Sequence, residues 1–341
     1  MKKLLYIILG IIVMSMISIA LSAQDIHFSQ FFSSPLYINP ANTGNFEGDF
    51  RGVLNNKNQW NTFTNAYSTF AGSFDAGFNN LFASGSRCGM GFNLFNDVAG
   101  DGKFGTTQFS LNLAYYYPFG EKKNFLLGLG FVGGYIMHNI SFSNFNFGNQ
   151  YSGEQFDPTL PVGEDWMFDK CSYFDIGTGL NIMYKLKPGC LIQSGFSISH
   201  LNEPVKSFYD NSESVLAMKY IFTASAEYNI KDDLWIEPQL IAMFQHEYRE
   251  FDLGALLRFD YNPVSLQAIY FGTLMRTRDA GIIVFGFKYH NARILVNYDI
   301  NLSKLTTISR GKGGVEFSLI YIFLKTKPFD SPYYRKCPDF I

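Results

Sequence analysis

The chain has 341 residues and a formal net charge of −2, with 18% aromatic and only 16% charged residues. That length suits one large barrel or two soluble domains. Charge well below the quarter or so of a soluble domain, with no basic excess, leaves no footprint for a nucleic-acid partner.

Taken in order, the chain first reads as a secretory signal over residues 1–23. Lys2 and Lys3 form its basic end, Leu4 to Ile19 its apolar stretch, and Ala20-Leu21-Ser22-Ala23 its small-residue step. Cleavage after Ser22 fits the small-x-small rule; cleavage after Ala23 leaves Gln24 first, with Leu21 at the −3 position. A retained membrane anchor is the alternative. No Cys follows the cleavage region, which disfavours a lipoprotein. Nothing after residue 24 approaches the roughly 18 uninterrupted apolar residues of a membrane helix.

Residues 24–48 are not a clean strand. Asn39-Pro40-Ala41-Asn42-Thr43-Gly44 concentrates turn formers: Pro fixes φ, Asn caps and Gly permits positive φ. Two readings stand open, a periplasmic plug segment beneath or inside a barrel and a tight turn into the first strand.

From residue 49 the pattern changes to alternation. It predicts strands over 49–60, 67–78, 87–97, 104–118, 124–139, 173–187, 190–200, 218–230, 234–245, 250–261, 264–273, 281–290, 292–302 and 313–324. In Leu253 to Tyr261, one parity is Leu, Ala, Leu, Phe, Tyr and the other Gly, Leu, Arg, Asp. An apolar face with aromatic ends opposite a face that holds charge is what a membrane-spanning barrel strand needs. In a bilayer every backbone polar group must be paired, so strands span only as a closed barrel. The predicted fold is therefore all-β: a transmembrane outer-membrane barrel of about 14 antiparallel strands over 49–324, with N- and C-terminal periplasmic extensions. A soluble β-sandwich also alternates, but long strands with terminal aromatics behind an export signal favour the barrel. On this parity Leu257 faces lipid and Leu256 the lumen, so Leu256→Arg is expected to be the milder change.

Connector lengths give the orientation. Lys187-Pro188-Gly189, Lys231-Asp232-Asp233, Asn262-Pro263 and Asn291 are short, whereas the alternate connectors include 140–172 and 201–217. Short turns belong to the periplasm and long loops to the outside. This places both termini in the periplasm, Cys88, Cys190 and Cys337 at that end, and Cys171 at the outer end. The cysteines form no C-x-x-C pair and no zinc spacing. Residues 325–341 continue past the last strand as a periplasmic tail, read as a plug, a docking segment or a disordered end.

Chemistry is sparse. Ser197, Ser199 and His200 are neighbours, but Gly195-Phe196-Ser197-Ile198-Ser199 lacks the final Gly of a nucleophile elbow, and Ser199 and His200 point to opposite faces of a strand. His27, His138, His246 and His290 are scattered without metal spacing. Gly100-Asp101-Gly102-Lys103 and Arg310-Gly311-Lys312-Gly313-Gly314 match phosphate loops in composition only. No catalytic, cofactor or metal residue is assigned. Arg258, Asp260, Arg293 and Asp299 face the lumen, where they either line a polar channel or pair to fill it, so a passive porin or solute transporter remains the alternative function.

Ordered motifs carry a family resemblance. They are Gln24-Asp25-Ile26-His27-Phe28-Ser29-Gln30-Phe31-Phe32; Pro35 to Gly44; Arg51 with Asn58-Gln59-Trp60; Ser73-Phe74-Asp75; Phe156-Asp157-Pro158; Gly195 to Asn202, including His200, with Pro204; Asn297-Tyr298-Asp299 with Ser303; Gly313-Gly314-Val315-Glu316; and Cys337-Pro338-Asp339-Phe340. Together they resemble the PorP/SprF family of the Bacteroidetes type IX secretion and gliding motility apparatus. At residues 313–316 the family usually shows a Gly-Ser-His-Glu step, and the Ser-His is absent here.

The resemblance implies a non-enzymatic outer-membrane barrel that assists export or surface retention of a partner, an adhesin-like secreted protein with a type IX C-terminal domain. Periplasmic ring components or a peptidoglycan-binding lipoprotein are further implied partners, beside outer-membrane lipid. Exposed aromatics often mark interfaces, so Phe145, Phe147, Tyr151, Trp166, Phe168, Phe208 and Tyr209 of the long loops are the expected partner contacts. The alternative is that these rings pack on each other to roof the barrel. Residues 24–44 are expected to meet the envelope machinery.

Overall fold

Strand parity becomes a wall with two solvents. In the computed structural model, fourteen strands close into one antiparallel barrel, each paired with its chain neighbours and the first with the last. They are β1 (Phe50–Gln59), β2 (Tyr67–Asn79), β3 (Arg87–Ala99), β4 (Phe104–Phe119), β5 (Phe125–Asn139), β6 (Lys170–Lys187) and β7 (Cys190–Ser199). The second half is β8 (Lys219–Lys231), β9 (Leu234–Gln245), β10 (Tyr248–Asp260), β11 (Leu266–Arg276), β12 (Ala280–Tyr289), β13 (Ala292–Asn301) and β14 (Lys312–Phe323). The structure describes residues 28–324 except 60–66, 101, 121–123, 143–144, 154, 162, 164–167, 210–213, 262–264 and 304–305. The signal segment, the tail 325–341, Trp60, Trp166 and Cys337 therefore lie outside the described residues.

Every predicted strand is present, with ends within three residues of the expected ones. The largest differences have a pairing cause. Strand β6 starts at Lys170 because β5 runs on to Asn139 and the two residues are register partners. Strand β11 runs on to Arg276, which pairs with both Asp252 and Ala280.

Parity decides burial even between identical residues. In β3, Phe95 points inward and is 2% exposed, while Phe92 points outward and is 44% exposed. The outward rings form belts across neighbouring strands, such as Phe74–Phe92–Phe109 with centroids 6.1 and 6.3 Å apart. Such a face suits lipid and would be costly in water. The chain is an outer-membrane β-barrel; among the described residues no helix is long and apolar enough to cross a membrane.

Connectors separate the two ends. Turns at 188–189, 232–233 and 290–291 lie at the short-turn end, while 140–169, 200–218 and 302–311 rise at the other. Cys88 and Cys190 sit at the short-turn end and Cys171 at the long-loop end, as the phase predicts.

Leu256 and Leu257 face lumen and lipid as expected, at 3% and 43% exposure. The surroundings of Leu256 argue against a mild Leu256→Arg, however. Leu256 belongs to an apolar core with Ile241, Val284 and Leu295, against which Phe31 of the N-terminal segment packs. The lumen at this height is a hydrophobic interior, not a polar channel.

Candidate functional site

What fills that interior is the segment 28–48. It runs down the lumen from the long-loop end, where Phe28 and Ser29 lie, to the short-turn end, where Asp49 donates its N–H to the Phe323 carbonyl (3.0 Å) and β1 begins. Three short helical turns, Phe31–Ser33, Pro35–Ile38 and Pro40–Asn42, compact it. Pro opens the second and third turns, where a missing N–H costs nothing. Of the two readings open in the sequence, the plug inside the barrel is the one observed. The expectation that this segment presents a periplasmic surface is corrected for residues 28–44, most of which are buried. The physical reason is that their backbone polar groups find partners on the barrel wall.

At the long-loop end the anchor is electrostatic. The Ser29 and Gln30 N–H groups donate to the two oxygens of Glu316 (2.8 and 3.0 Å). The Ser29 hydroxyl donates to Asp299 (2.5 Å) and accepts from Arg276 Nη2 (2.9 Å), and Gln30 Nε2 donates to Asn297 (2.5 Å). Arg276 also pairs with Asp279 (3.0 Å), Asp252 (3.4 Å), Asp299 (3.6 Å) and Glu250 (3.7 Å). Lys57 stands opposite Glu316 across the β1–β14 pair. Buried charges persist when paired and hydrogen-bonded, and Glu316 meets that condition through the plug's own backbone.

At mid-height the anchor is steric. The Asn39 side chain caps its own turn by accepting from the Ala41 N–H (2.8 Å), and its amide donates to the Leu180 and Phe196 carbonyls (2.9 and 3.4 Å). The Ser197 hydroxyl donates to the Ile38 carbonyl (2.6 Å), and Tyr116 donates to the Ala41 carbonyl. This close approach is possible because the wall carries glycine here. A Cβ on Gly130 would sit 2.2 Å from the Ala41 nitrogen, one on Gly179 2.0 Å from Asn39 Oδ1, and one on Gly89 1.9 Å from the Thr43 oxygen.

At the short-turn end a fork holds the exit. Arg51 Nε and Nη2 grip both oxygens of Asp75 (3.0 and 2.7 Å), and Nη2 also donates to the Asn42 carbonyl (3.0 Å). The Gly44 N–H donates to the same Asp75 (2.7 Å), at a φ of +73° that suits glycine. Arg87 binds the Gly44 and Gly48 carbonyls (2.5 and 2.8 Å). The Arg51 and Arg87 guanidinium groups lie 4.7 and 5.4 Å from the Phe46 ring centre.

Below the Ser29–Gln30 anchor the opposite wall is apolar. Ile221, Ile241, Met243, Leu256, Leu274, Ile282, Val284 and Leu295, on strands β8 to β13, form a greasy surface for Phe31 and Ile38. A second cluster holds Phe28 against Phe95 and Tyr37, the latter two stacked at 5.2 Å. Three spaces between plug and wall measure about 40, 10 and 20 Å³, room for a few waters at most. Below the plug, toward the short turns, opens a vestibule of about 1010 Å³.

The motif residues thus divide. Phe28, Ser29, Gln30, Asn39, Pro40, Ala41, Gly44 and Asp299 meet in the plug and its seat, as do Arg51, Asp75, Ser197 and Glu316. His200 is held by a wall carboxylate. Its Nδ1 lies 2.9 Å from Asp175 Oδ1, both buried, at a φ of +59° where β7 stops. Asn58 bonds Asn56 (2.8 Å) beside Gln59 at the end of β1, and Tyr298 faces lipid at 42% exposure. Asp157 accepts from the Thr159 hydroxyl and N–H (2.6 and 2.9 Å), which holds its carboxyl below the ordinary range, and Pro158 follows it in that turn.

The lumen charges pair rather than line an open path. Arg258 meets Glu237 (3.0 Å), Asp260 (3.2 Å) and Glu227 (3.3 Å), and Arg293 meets Glu237 (3.5 Å).

Loop aromatics also divide. Phe145 packs between Phe142 and Phe147 and covers Gly102, and Phe208 packs on Phe104. These three are half-buried, whereas Tyr151, Phe168 and Tyr209 are exposed. The Phe168 N–H donates to the Phe208 carbonyl (3.2 Å), tying the two long loops together.

The barrel resembles solved channels at low identity. The monoaromatic hydrocarbon channel CymD is 9% identical over 86% of this chain and 93% of its own, with a TM-score of 0.50. The Ralstonia pickettii toluene transporter TbuX is 12% identical over 85% and 92%, at 0.49. The Pseudomonas putida toluene transporter TodX is 10% identical over 84% and 93%, at 0.46. Likeness at this level is one of fold. No curated protein matches the chain. The family model of the type IX secretion system membrane protein PorP/SprF matches residues 20–321, which takes in the plug and all but the last two residues of the barrel. By that match the chain belongs to the PorP/SprF family.

Proposed function

We propose that this barrel is a non-enzymatic component of type IX secretion that assists export or surface retention of one secreted protein. The plug is the observation that carries the reading. A lumen occupied by the chain's own segment, bonded along its whole height, suits a fixed scaffold better than a solute pore. On this reading the loops 140–169 and 200–218 face outward and grip the C-terminal domain of an adhesin-like partner. Exposed Tyr151, Phe168 and Tyr209 supply the first contacts, with Trp166 from the same loop. Phe145, Phe147 and Phe208 support them from beneath. The short turns, with Asn45 to Asp49, face the periplasm, where ring components or a peptidoglycan-binding lipoprotein would meet them.

Deleting the gene is expected to leave general secretion intact while one surface protein is lost or shed into the medium. Shortening loop 140–169 reproduces that loss while the barrel still assembles. In a planar bilayer the purified barrel is expected to carry no large steady current. A deletion strain that keeps every surface protein and loses only uptake of a small solute would replace this reading with the porin.

A further inference from the structure

The long-loop end is polarised in charge. Loop 140–169 carries acidic residues and neither Lys nor Arg. Across the barrel, along β10 to β14, stand Arg249, Arg278, Arg310 and Lys312, all exposed. Backbone bonds join their connectors into one rim. The Thr277 N–H donates to the Phe251 carbonyl (3.0 Å), the Leu302 N–H to the Asp279 carbonyl (2.7 Å) and the Asn301 N–H to the Gly311 carbonyl (3.1 Å). Arg310 and Gly311 both have positive φ, +51° and +77°, which turns the chain sharply between the last two cations. Among the described residues Arg249, Arg310 and Lys312 make no ion pair. The carboxylates on the same connectors are few. Asp279 is taken by Arg276 (3.0 Å), which leaves Glu247. The rim is therefore a continuous basic edge.

Its height points to the bilayer surface. The connectors 246–247 and 277–279 are too short to stand far above the strands. Arg249 shares the lipid-facing parity of Leu253 and Leu257 and is the register partner of Phe244. Phe244 packs on Phe251 at 5.6 Å, and Leu302 beside the rim is 64% exposed. Cations directly above an apolar, aromatic wall match a lipid, whose charged group lies above its chains. Arg presents a fork that fits phosphate oxygens, and Lys a point charge.

We propose that this rim binds the phosphorylated headgroup of an outer-leaflet lipid, whose acyl chains lie on the wall of Phe244, Phe251 and Leu302. The inference rests on the long loops facing outward and not on the secretion role proposed above.

The test uses the purified full-length barrel in detergent, with lipid A labelled on an acyl chain as probe. Arg278 is kept, because it has a partner of its own within the chain. The triple variant Arg249→Gln, Arg310→Gln, Lys312→Gln is expected to bind lipid A about a hundredfold more weakly, at about fivefold for each cation lost. Heat-dependent migration on a gel should show its barrel intact. If the triple variant does not assemble, each single variant should still show its fivefold loss. Lys103→Gln, at the same end beside β4, should leave binding unchanged. Dephosphorylated lipid A should compete poorly, and inorganic phosphate should not displace the probe. Wild-type affinity in the triple variant would overturn the proposal, and loss of a surface protein from cells carrying that variant would then assign the rim to an acidic partner protein. Equal competition by dephosphorylated lipid A would also overturn it, by showing acyl contact alone. So would displacement by inorganic phosphate, the mark of a free-anion site.

Discussion

The two walls of the lumen hold the plug by different physics. Strands β1 to β7 hold it by direction, through the Arg51–Asp75 fork, the Asn39 amide on the Leu180 and Phe196 carbonyls, and glycines that let backbone approach backbone. Strands β8 to β13 bond only its upper end, where Arg276, Asn297 and Asp299 meet Ser29 and Gln30, and hold the rest by area, through Phe31 and Ile38 on aliphatic side chains. Directional bonds fix one position and tolerate little change, whereas apolar burial adds stability without selecting a register. The first wall and the Ser29–Gln30 anchor therefore decide where the plug sits, and the apolar area of the second wall how firmly.

This division can be broken most severely at the fork. Arg51→Met leaves Asp75 buried without its cation, a loss of about 3–5 kcal/mol for a broken buried pair. Urea titration of the barrel in phospholipid vesicles should show it, and protease should newly cut between residues 44 and 48. Next come the two leucines. Leu257→Arg meets the bilayer and is expected to cost about 2–4 kcal/mol near the midplane. Leu256→Arg puts an unpaired charge into the apolar wall and should impair assembly at least as much, read by heat-dependent migration on a gel. A mild Leu256→Arg would mean that this wall does not seat the plug. Gly130→Val drives a side chain into Ala41 and should cost about 1–3 kcal/mol for overpacking, with the plug displaced and newly open to protease. The smallest effect belongs to Ile38→Val, about 0.5–1.5 kcal/mol, and here the plug should stay protected. Equal protease exposure in Gly130→Val and Ile38→Val would erase the distinction between the walls.

The barrel was legible in the sequence because its signal is local. Strand count, parity and the phase of short and long connectors all lie within a few residues of each other in the chain. The plug's seat was not, because its partners are far apart. Ser29 meets Asp299, Asn39 meets Leu180 and Phe196, and each partner alone reads as an ordinary lumen or wall residue. One signal was present and unused. Gly89, Gly130, Gly179 and Gly195 fall on the lumen parity inside strands, where glycine marks close approach of another backbone. The family motifs were recognised as a series, but only the fold shows that Arg51 and Asp75, like Ser29 and Glu316, are halves of the same contacts, and that Ser197 holds the Ile38 carbonyl beside Asn39. His200 shows the opposite case, a motif residue whose role is local, closing the end of β7 on Asp175.

The direction of the plug governs the order of assembly. Its first described residues lie at the far end of the lumen from the point where β1 begins, and β1 is one side of the seam that closes the cylinder against β14. A finished cylinder would have to be threaded lengthwise by a segment carrying four bulky Phe residues past walls that leave almost no space. Zipping the seam around a segment already laid along β2 to β7 avoids that passage. The Lys57–Glu316 register pair lies within the seam itself, and Glu316 also binds the Ser29 and Gln30 backbone. The strand that closes the seam also carries the acceptor that fastens the plug, so the closed cylinder and the seated plug share one side chain.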